Sequence, residues 1–105
     1  MKLMILTKVV GHNKKKIDNS KTTWEDWKKK IIEEVDELID AIREKDRVHM
    51  LEEVLDILQC CIGILAKLAR EGVSIDQGIH LHNKKLIDRG CEPSAEINIR
   101  ITRRI

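Results

Sequence analysis

Residues 22–68, TTWEDWKKKIIEEVDELIDAIREKDRVHMLEEVLDILQCCIGILAKL, decide the fold. Trp24, Trp27, Ile31, Val35, Leu38 and Ile42 recur at three- and four-residue intervals, which aligns them on one stripe of a helix, while Lys, Asp and Glu fill the opposite face. Thr22-Thr23-Trp24-Glu25 has the form of a capping box, with Thr22 as cap and Glu25 reaching back to it, so a helix is predicted from there to about Lys45. Asp46 can cap a second helix. Its apolar positions, Met50, Leu51, Val54, Leu55, Ile57, Leu58, Cys61, Ile62, Ile64, Leu65 and Leu68, cover well over half its circumference, which predicts burial on several sides.

Beyond this pair, Gly72 supplies a left-handed stop and Ser74 to Gln77 forms another capping box. The third helix so opened runs to about Arg89, with Gly90 as its stop and Pro93 beyond. The flanks are less regular. Leu3 to Val10 and Ile97 to Ile101 are β-branched and partly alternating, each readable as a short strand or an extended arm, and Gly11 to Ser20 reads as a basic, mobile connection. His-Asn-Lys-Lys occurs at 12–15 and again at 82–85, in surroundings that do not match, so we read it as coincidence. The expectation is an all-α helical bundle in one domain, 1–105, with a core of about 22–90 and extended terminal segments.

Charge narrows the function. Lys and Arg total 20 against 18 Asp and Glu, too balanced for nucleic acid or an anionic membrane as the main partner. The distribution is uneven. Residues 33–56 hold ten acidic and three basic side chains, a net of −7, so within an overall +2 the rest carries +9. Three cysteines, with Cys60 and Cys61 adjacent and Cys91 apart, form no C-x-x-C pair and fit reduced thiols in the cytoplasm. No apolar run reaches membrane-spanning length.

The acids lie in two groups, Glu33-Glu34-Val35-Asp36-Glu37 and Glu52-Glu53-Val54-Leu55-Asp56. A three-residue step turns a helix by about 300° and rises roughly 4.5 Å, so Glu34 shares a face with Glu37, and Glu53 with Asp56. Glu34 falls inside the apolar stripe, between Trp27, Ile31, Leu38 and Ala41, with Glu37 at its edge; Glu33, Asp36 and Asp40 point outward. Glu53 shares its face with Ile57, Cys60 and Ile64, and Asp56 sits at that edge. Acids in a core stripe are costly: two carboxylates about 4 Å apart repel by roughly 4 kcal/mol at a protein-like dielectric. A divalent cation would remove that cost, whereas pairing with lysines or exposure to solvent is the ordinary fate of an E-x-x-E pair. All-oxygen ligation selects Mg²⁺, Mn²⁺ or Ca²⁺ over zinc, and Mg²⁺ with few protein ligands keeps positions for water and phosphate.

The order E-E-x-x-E, fifteen intervening residues, then E-x-x-D (Glu33, Glu34, Glu37, Glu53, Asp56) resembles the MazG-like all-α nucleotide pyrophosphohydrolases, relatives of dimeric dUTPases and phosphoribosyl-ATP pyrophosphohydrolases. The resemblance covers about residues 24–90 and takes in Lys30, Ala41, the Leu51-Glu52-Glu53 lead-in to Asp56, and His82-Asn83-Lys84-Lys85 ahead of Arg89-Gly90. It implies Mg²⁺-dependent hydrolysis (Mn²⁺ an alternative ion) of a nucleoside triphosphate to monophosphate and pyrophosphate, in nucleotide-pool house-cleaning, by a homodimer or homotetramer. Glu34, Glu37, Glu53 and Asp56 would be the metal ligands, with Glu34 or Glu37 also the catalytic base. A phosphoribosyl-ATP pyrophosphohydrolase-like activity and a non-catalytic helical interaction module are the alternatives.

Several neighbours carry two readings. Lys30, four residues before Glu34, could reach a substrate phosphate or make an i,i+4 salt bridge. Trp27 could stack on a base, although a tryptophan on an apolar stripe is more often core, and Trp24 is read as core. Asn83 could read a sugar or base edge, or bond a neighbouring helix; Lys84 could meet pyrophosphate; His82 is read as a core histidine. Cys60 and Cys61 read as small hydrophobes. A di-iron carboxylate bundle would need Glu-x-x-His on two helices, and Asp46-Arg47-Val48-His49 is the nearest approach.

Overall fold

The computed structural model describes residues 8–10 and 16–98. Its frame is α1 (Trp24–Glu44), α2 (Arg47–Arg70) and α3 (Ile75–Asp88), preceded by a two-stranded antiparallel ladder of β1 (Lys8–Val10) and β2 (Lys16–Asp18) and a 3₁₀ turn at Asn19–Lys21. In that ladder Lys8 faces Asp18 and Val10 faces Lys16. Lys16 to Asp18 is thus strand, not the mobile connection expected of it. The rest of Leu3 to Val10 and of Gly11 to Ser20, apart from Lys8–Val10, Lys16–Asp18 and the turn, lies outside the described residues, as do residues 99–101 of the C-terminal arm, whose Ile97 and Asn98 have no regular structure.

The first helix starts one residue later than expected. Thr23 is its cap, extended at φ −79°, ψ 164°; its hydroxyl accepts from the Asp26 N–H at 3.1 Å and the Asp26 carboxylate accepts from the Thr23 N–H at 3.2 Å. Thr22 and Glu25 offer the same chemistry one step earlier, but the Thr22 hydroxyl donates to the Asn19 side chain instead. The helix ends at Lys45, left-handed at φ 57°, and Asp46 at once caps α2 by accepting from the N–H groups of Val48 and His49. A connection of two residues forces α1 and α2 into an antiparallel hairpin.

The seam between them runs at seven-residue spacing along α1 and at spacings of seven and six along α2. Trp27, Glu34 and Ala41 are the buried residues of α1, and Glu53, Cys60 and Ala66 those of α2. The Trp27 ring lies against Gly63, where a β-carbon would come within 2.2 Å of its Cη2. The indole N–H of Trp27 has no acceptor among the described residues. At the open end of the hairpin, Trp24 donates from its indole nitrogen to the Glu71 carboxylate at 3.1 Å while the Lys67 ammonium stands 5.1 Å from the ring centroid. Trp24 is therefore a surface residue, not core, held there by a partner for its N–H and a cation over its face.

Most of the expected apolar stripe of α1 is not buried within this chain: Val35 and Ile42 are exposed, with Ile32 and Ile39 beside them. Nor is α2 buried on several sides, since Val48, Leu51, Val54, Leu55 and Leu58 are also exposed. Gly72, at φ 89°, ends α2 with its N–H on the Ala69 carbonyl and that of Val73 on Leu68, a Schellman closure.

The chain divides after Ser74, and α3 belongs to the second unit. It starts directly after Ser74 and closes with the same geometry, Gly90 at φ 87° bonding Ile87 and Cys91 bonding Leu86. None of its residues is buried; His82, expected in a core, is exposed. No helix among the described residues is long and apolar enough to cross a membrane.

Candidate metal centre

Trp27 against Gly63 fixes the register of the hairpin. Seven residues on along α1 and seven back along α2, Glu34 comes opposite Asp56, and one helical turn further Glu37 comes opposite Glu53. Glu34, Glu37, Glu53 and Asp56 accordingly meet, each offering one carboxylate oxygen within 4.8 Å of the others. Glu34 and Glu53 are buried, at 6% and 9% exposure, and Glu37 and Asp56 form the solvent side.

The two buried acids are held alike. Glu34 Oε1 takes a salt bridge from Lys30 Nζ at 2.9 Å, and Glu53 Oε1 lies 3.1 Å from His49 Nε2; in both cases the partner is four residues earlier on the same helix. Their second oxygens, Glu34 Oε2 and Glu53 Oε2, are buried without a hydrogen-bond partner among the described residues. Each carboxylate thus has one oxygen engaged and one open. Buried ionised pairs at such separations repel by roughly 3–4 kcal/mol at an effective dielectric of about 20.

That repulsion is visible in the solvent-side acids. The Glu34 charge, then burial and Glu53, raise the Glu37 carboxyl above its ordinary range, and Glu53 is near enough for a protonated Glu37 to hydrogen-bond it. Burial first, and then the charges of Glu34 and Glu53, raise Asp56, with Lys30 opposing. Lys30 is raised by its bond to Glu34. The group attracts protons, and the same electrostatics would favour a divalent cation. Open carboxylate oxygens of this kind, with no nitrogen or sulfur donor in the group, fit a hard cation such as Mg²⁺ or Mn²⁺.

His49 is a participant the sequence reading did not single out. Its Nδ1 lies 3.1 Å from Glu44 Oε2, so the ring bridges the last residue of α1 and Glu53 of α2. Only the doubly protonated ring donates to both carboxylates, and the Glu44 bond, followed by Glu53, raises its pKa above the ordinary histidine value. The signal was available as a His four residues ahead of a core-facing Glu.

The other expected site residues are placed as follows. Lys30 makes the i,i+4 bridge, and the Trp27 ring is occupied with Gly63, the packing reading of that residue. Asn83 and Lys84 lie exposed on α3, where the Lys84 ammonium pairs with Asp88 at 3.0 Å. Cys60 is buried and its thiol is pushed up by burial, as suits a packed sulfur; Cys61 is half-buried and Cys91 exposed.

A family model for the MazG nucleotide pyrophosphohydrolase domain matches residues 22–92, which span α1 to α3 and all four clustered acids. The chain belongs to the MazG family. No curated protein and no solved structure matches it. MazG membership accords with the helical frame, and the match takes in the paired acidic segments of α1 and α2 whose four carboxylates could hold a metal ion.

Proposed function

We propose that this chain hydrolyses a nucleoside triphosphate between its α and β phosphates, giving the monophosphate and pyrophosphate, with Mg²⁺ or Mn²⁺ held by Glu34, Glu37, Glu53 and Asp56. The observation that carries the reading is the meeting of four carboxylates within 4.8 Å, two of which, Glu34 and Glu53, each keep one buried oxygen without a partner among the described residues. A cation bound there supplies charge neutralisation for the carboxylates and for the negative charge developing on the phosphoryl oxygens. The residues 1–105 act as one domain in this reading, with 22–90 as its catalytic core.

Glu37 is the favoured base. It stands exposed on the solvent side of the cluster, whereas Glu34 is buried, so it is the better placed of the two to take a proton from an attacking water. Water adds in line to one phosphorus of the α–β anhydride, the bond from that phosphorus to the bridging oxygen breaks, and monophosphate and pyrophosphate separate; Glu37 holds the proton released. Glu34 is tied to Lys30 and buried, which favours it as a ligand. Lys30, about half exposed, has a second use as a contact for substrate phosphate, and Asn83 and Lys84 are proposed for base or sugar and pyrophosphate.

The working unit is proposed to be a homodimer or homotetramer in the cytoplasm. Ile32, Val35, Ile39 and Ile42 of α1 and Leu51, Val54, Leu55 and Leu58 of α2 are all exposed, an apolar area that a second copy would cover.

The test is to incubate pure protein and Mg²⁺ with canonical and modified nucleoside triphosphates, phosphoribosyl-ATP included, and to identify the products. Monophosphate with pyrophosphate is expected from at least one. Diphosphate with phosphate would refute the α–β cleavage, and no turnover of any substrate would favour an interaction module.

A further inference from the structure

Glu53 can serve a cation in the cluster only if its carboxylate is turned so that an oxygen faces Glu34, Glu37 and Asp56. Nothing in the helix backbone fixes that rotation, because a glutamate has three side-chain torsions and the terminal one is broad. The observed contact that fixes it is His49, whose Nε2 lies 3.1 Å from Oε1 and leaves Oε2 open. The residue is itself held at two further points, one on the ring and one on the backbone. Its Nδ1 meets Glu44 Oε2 at 3.1 Å, and its backbone N–H donates to the capping carboxylate of Asp46 at 3.2 Å. The line Glu44–His49–Glu53 therefore starts at the end of α1, crosses the two-residue turn and stops at a buried oxygen of the cluster.

We propose that His49 is a positioning residue which orients Glu53 for the cation, an inference that rests on the metal-site reading above. It acts through Glu53 and touches neither substrate nor reacting atoms. Outer partners of this kind typically change metal affinity by 10–100-fold when removed. Charge and orientation pull in opposite directions here, which makes the sign informative: deleting a cationic ring near the cluster would by Coulomb attraction alone tighten cation binding, while loss of orientation loosens it.

Mn²⁺ titrations followed by the electron paramagnetic resonance of the free ion, at neutral pH and well below each variant's melting temperature, separate the possibilities. Wild type binds and Glu53→Gln loses binding if the site itself is as described; a wild type that does not bind Mn²⁺ overturns the site and this proposal together. With wild type binding, His49→Leu is expected to weaken Mn²⁺ at least about tenfold, and His49→Gln, which keeps an N–H donor without the charge, to recover most of it. Unchanged or tighter binding in His49→Leu overturns the positioning role and leaves the metal site standing, as does a loss that His49→Gln shares in full. A purely structural histidine would lower the melting temperature of both variants and leave the affinity of the folded protein where it was.

Discussion

Replacing Gly63 by alanine would put a methyl carbon 2.2 Å from Trp27 Cη2, 2.9 Å from Cζ2 and 3.0 Å from Cζ3. Ordinary contact starts at 3.4 Å, so the ring or the helix must retreat by about 1.2 Å. The ring cannot swing aside as a lysine tip would, since Trp27 is buried at 7% exposure. Overpacking of this kind costs about 1–3 kcal/mol. Against it stands the gain from Gly to Ala in a helix interior, about 1 kcal/mol. A 2.2 Å approach is far inside contact and takes the upper part of that range, about 2–3 kcal/mol, so the net expectation is a loss of about 1–2 kcal/mol, or roughly 5–15 °C in melting temperature for a domain of this size.

The matched control is Gly78, inside α3, where an added β-carbon meets nothing within 4 Å and the backbone has no positive φ. There the same substitution is expected to stabilise by up to about 1 kcal/mol. Thermal unfolding followed by circular dichroism at fixed protein concentration measures both, and a Gly63→Ala variant that melts at or above wild type refutes the packing argument. A double mutant closes the cycle: with Trp27→Leu already in place, Gly63→Ala should cost nothing, and an equal cost in both backgrounds would mean that the two residues do not interact.

Three further outcomes are expected. Glu53→Gln and Asp56→Asn, each removing a charge with little change of volume, should abolish turnover at limiting Mg²⁺ while leaving the helical circular dichroism unchanged; near-wild-type rates would remove that residue from the site. Saturating Mg²⁺ or Mn²⁺ should raise the melting temperature, by about 2.7 kcal/mol of stability at 100 times Kd, and coincident scans with and without chelator would count against binding. At one fixed cation concentration the increment should grow with pH, because protons compete for the same carboxylates: Glu37 and Asp56 have raised carboxyl pKa values in the folded chain, so the cation-free fold is favoured where both are protonated and loses stability as pH rises from the ordinary carboxylate range through the raised values. Static light scattering at micromolar concentration should give a mass of at least twice 12.2 kDa, and a fully active monomer would show that the exposed apolar residues need no partner.

How much of this was readable beforehand follows from which signals were redundant. The three helices were, because periodicity, caps and stops agreed at Asp46, Gly72 and Gly90. The start of α1 slipped by one residue because Thr22/Glu25 and Thr23/Asp26 are chemically equivalent boxes, and only the extended backbone at Thr23 distinguishes them. Trp24 and Trp27 look alike on a helical wheel, yet the seam takes Trp27 because Gly63 opens a space for its ring, while Trp24 finds Glu71 and Lys67 at the surface. Spacing alone brought Glu34, Glu37, Glu53 and Asp56 together, since a short turn left the two helices little choice but an antiparallel hairpin. The i,i+4 spacing of His49 and Glu53 was readable, but the second bond of the ring, to Glu44 across the turn, was not, because it depends on how the two helices meet.

The cluster also explains why the seam departs from a hydrophobic pattern where it does. At heptad spacing Trp27, Glu34 and Ala41 are the contacts of α1, and only the middle one is polar; on α2 Glu53 precedes Cys60 by the same interval. A leucine at 34 or 53 would satisfy packing and remove the repulsion together. With acids there, each needs a cationic neighbour to be tolerated, and each has one four residues before it, Lys30 or His49. Those neighbours neutralise only in part, since each leaves one buried oxygen open. Replacing such a buried pair with apolar residues of similar volume is often neutral or stabilising, so stability alone gives no reason to keep these acids in the seam. Partial neutralisation on both helices, with one carboxylate oxygen of each of the four acids within 4.8 Å of the others, is what the proposed site needs if its remaining charge is to be met by an ion from solution.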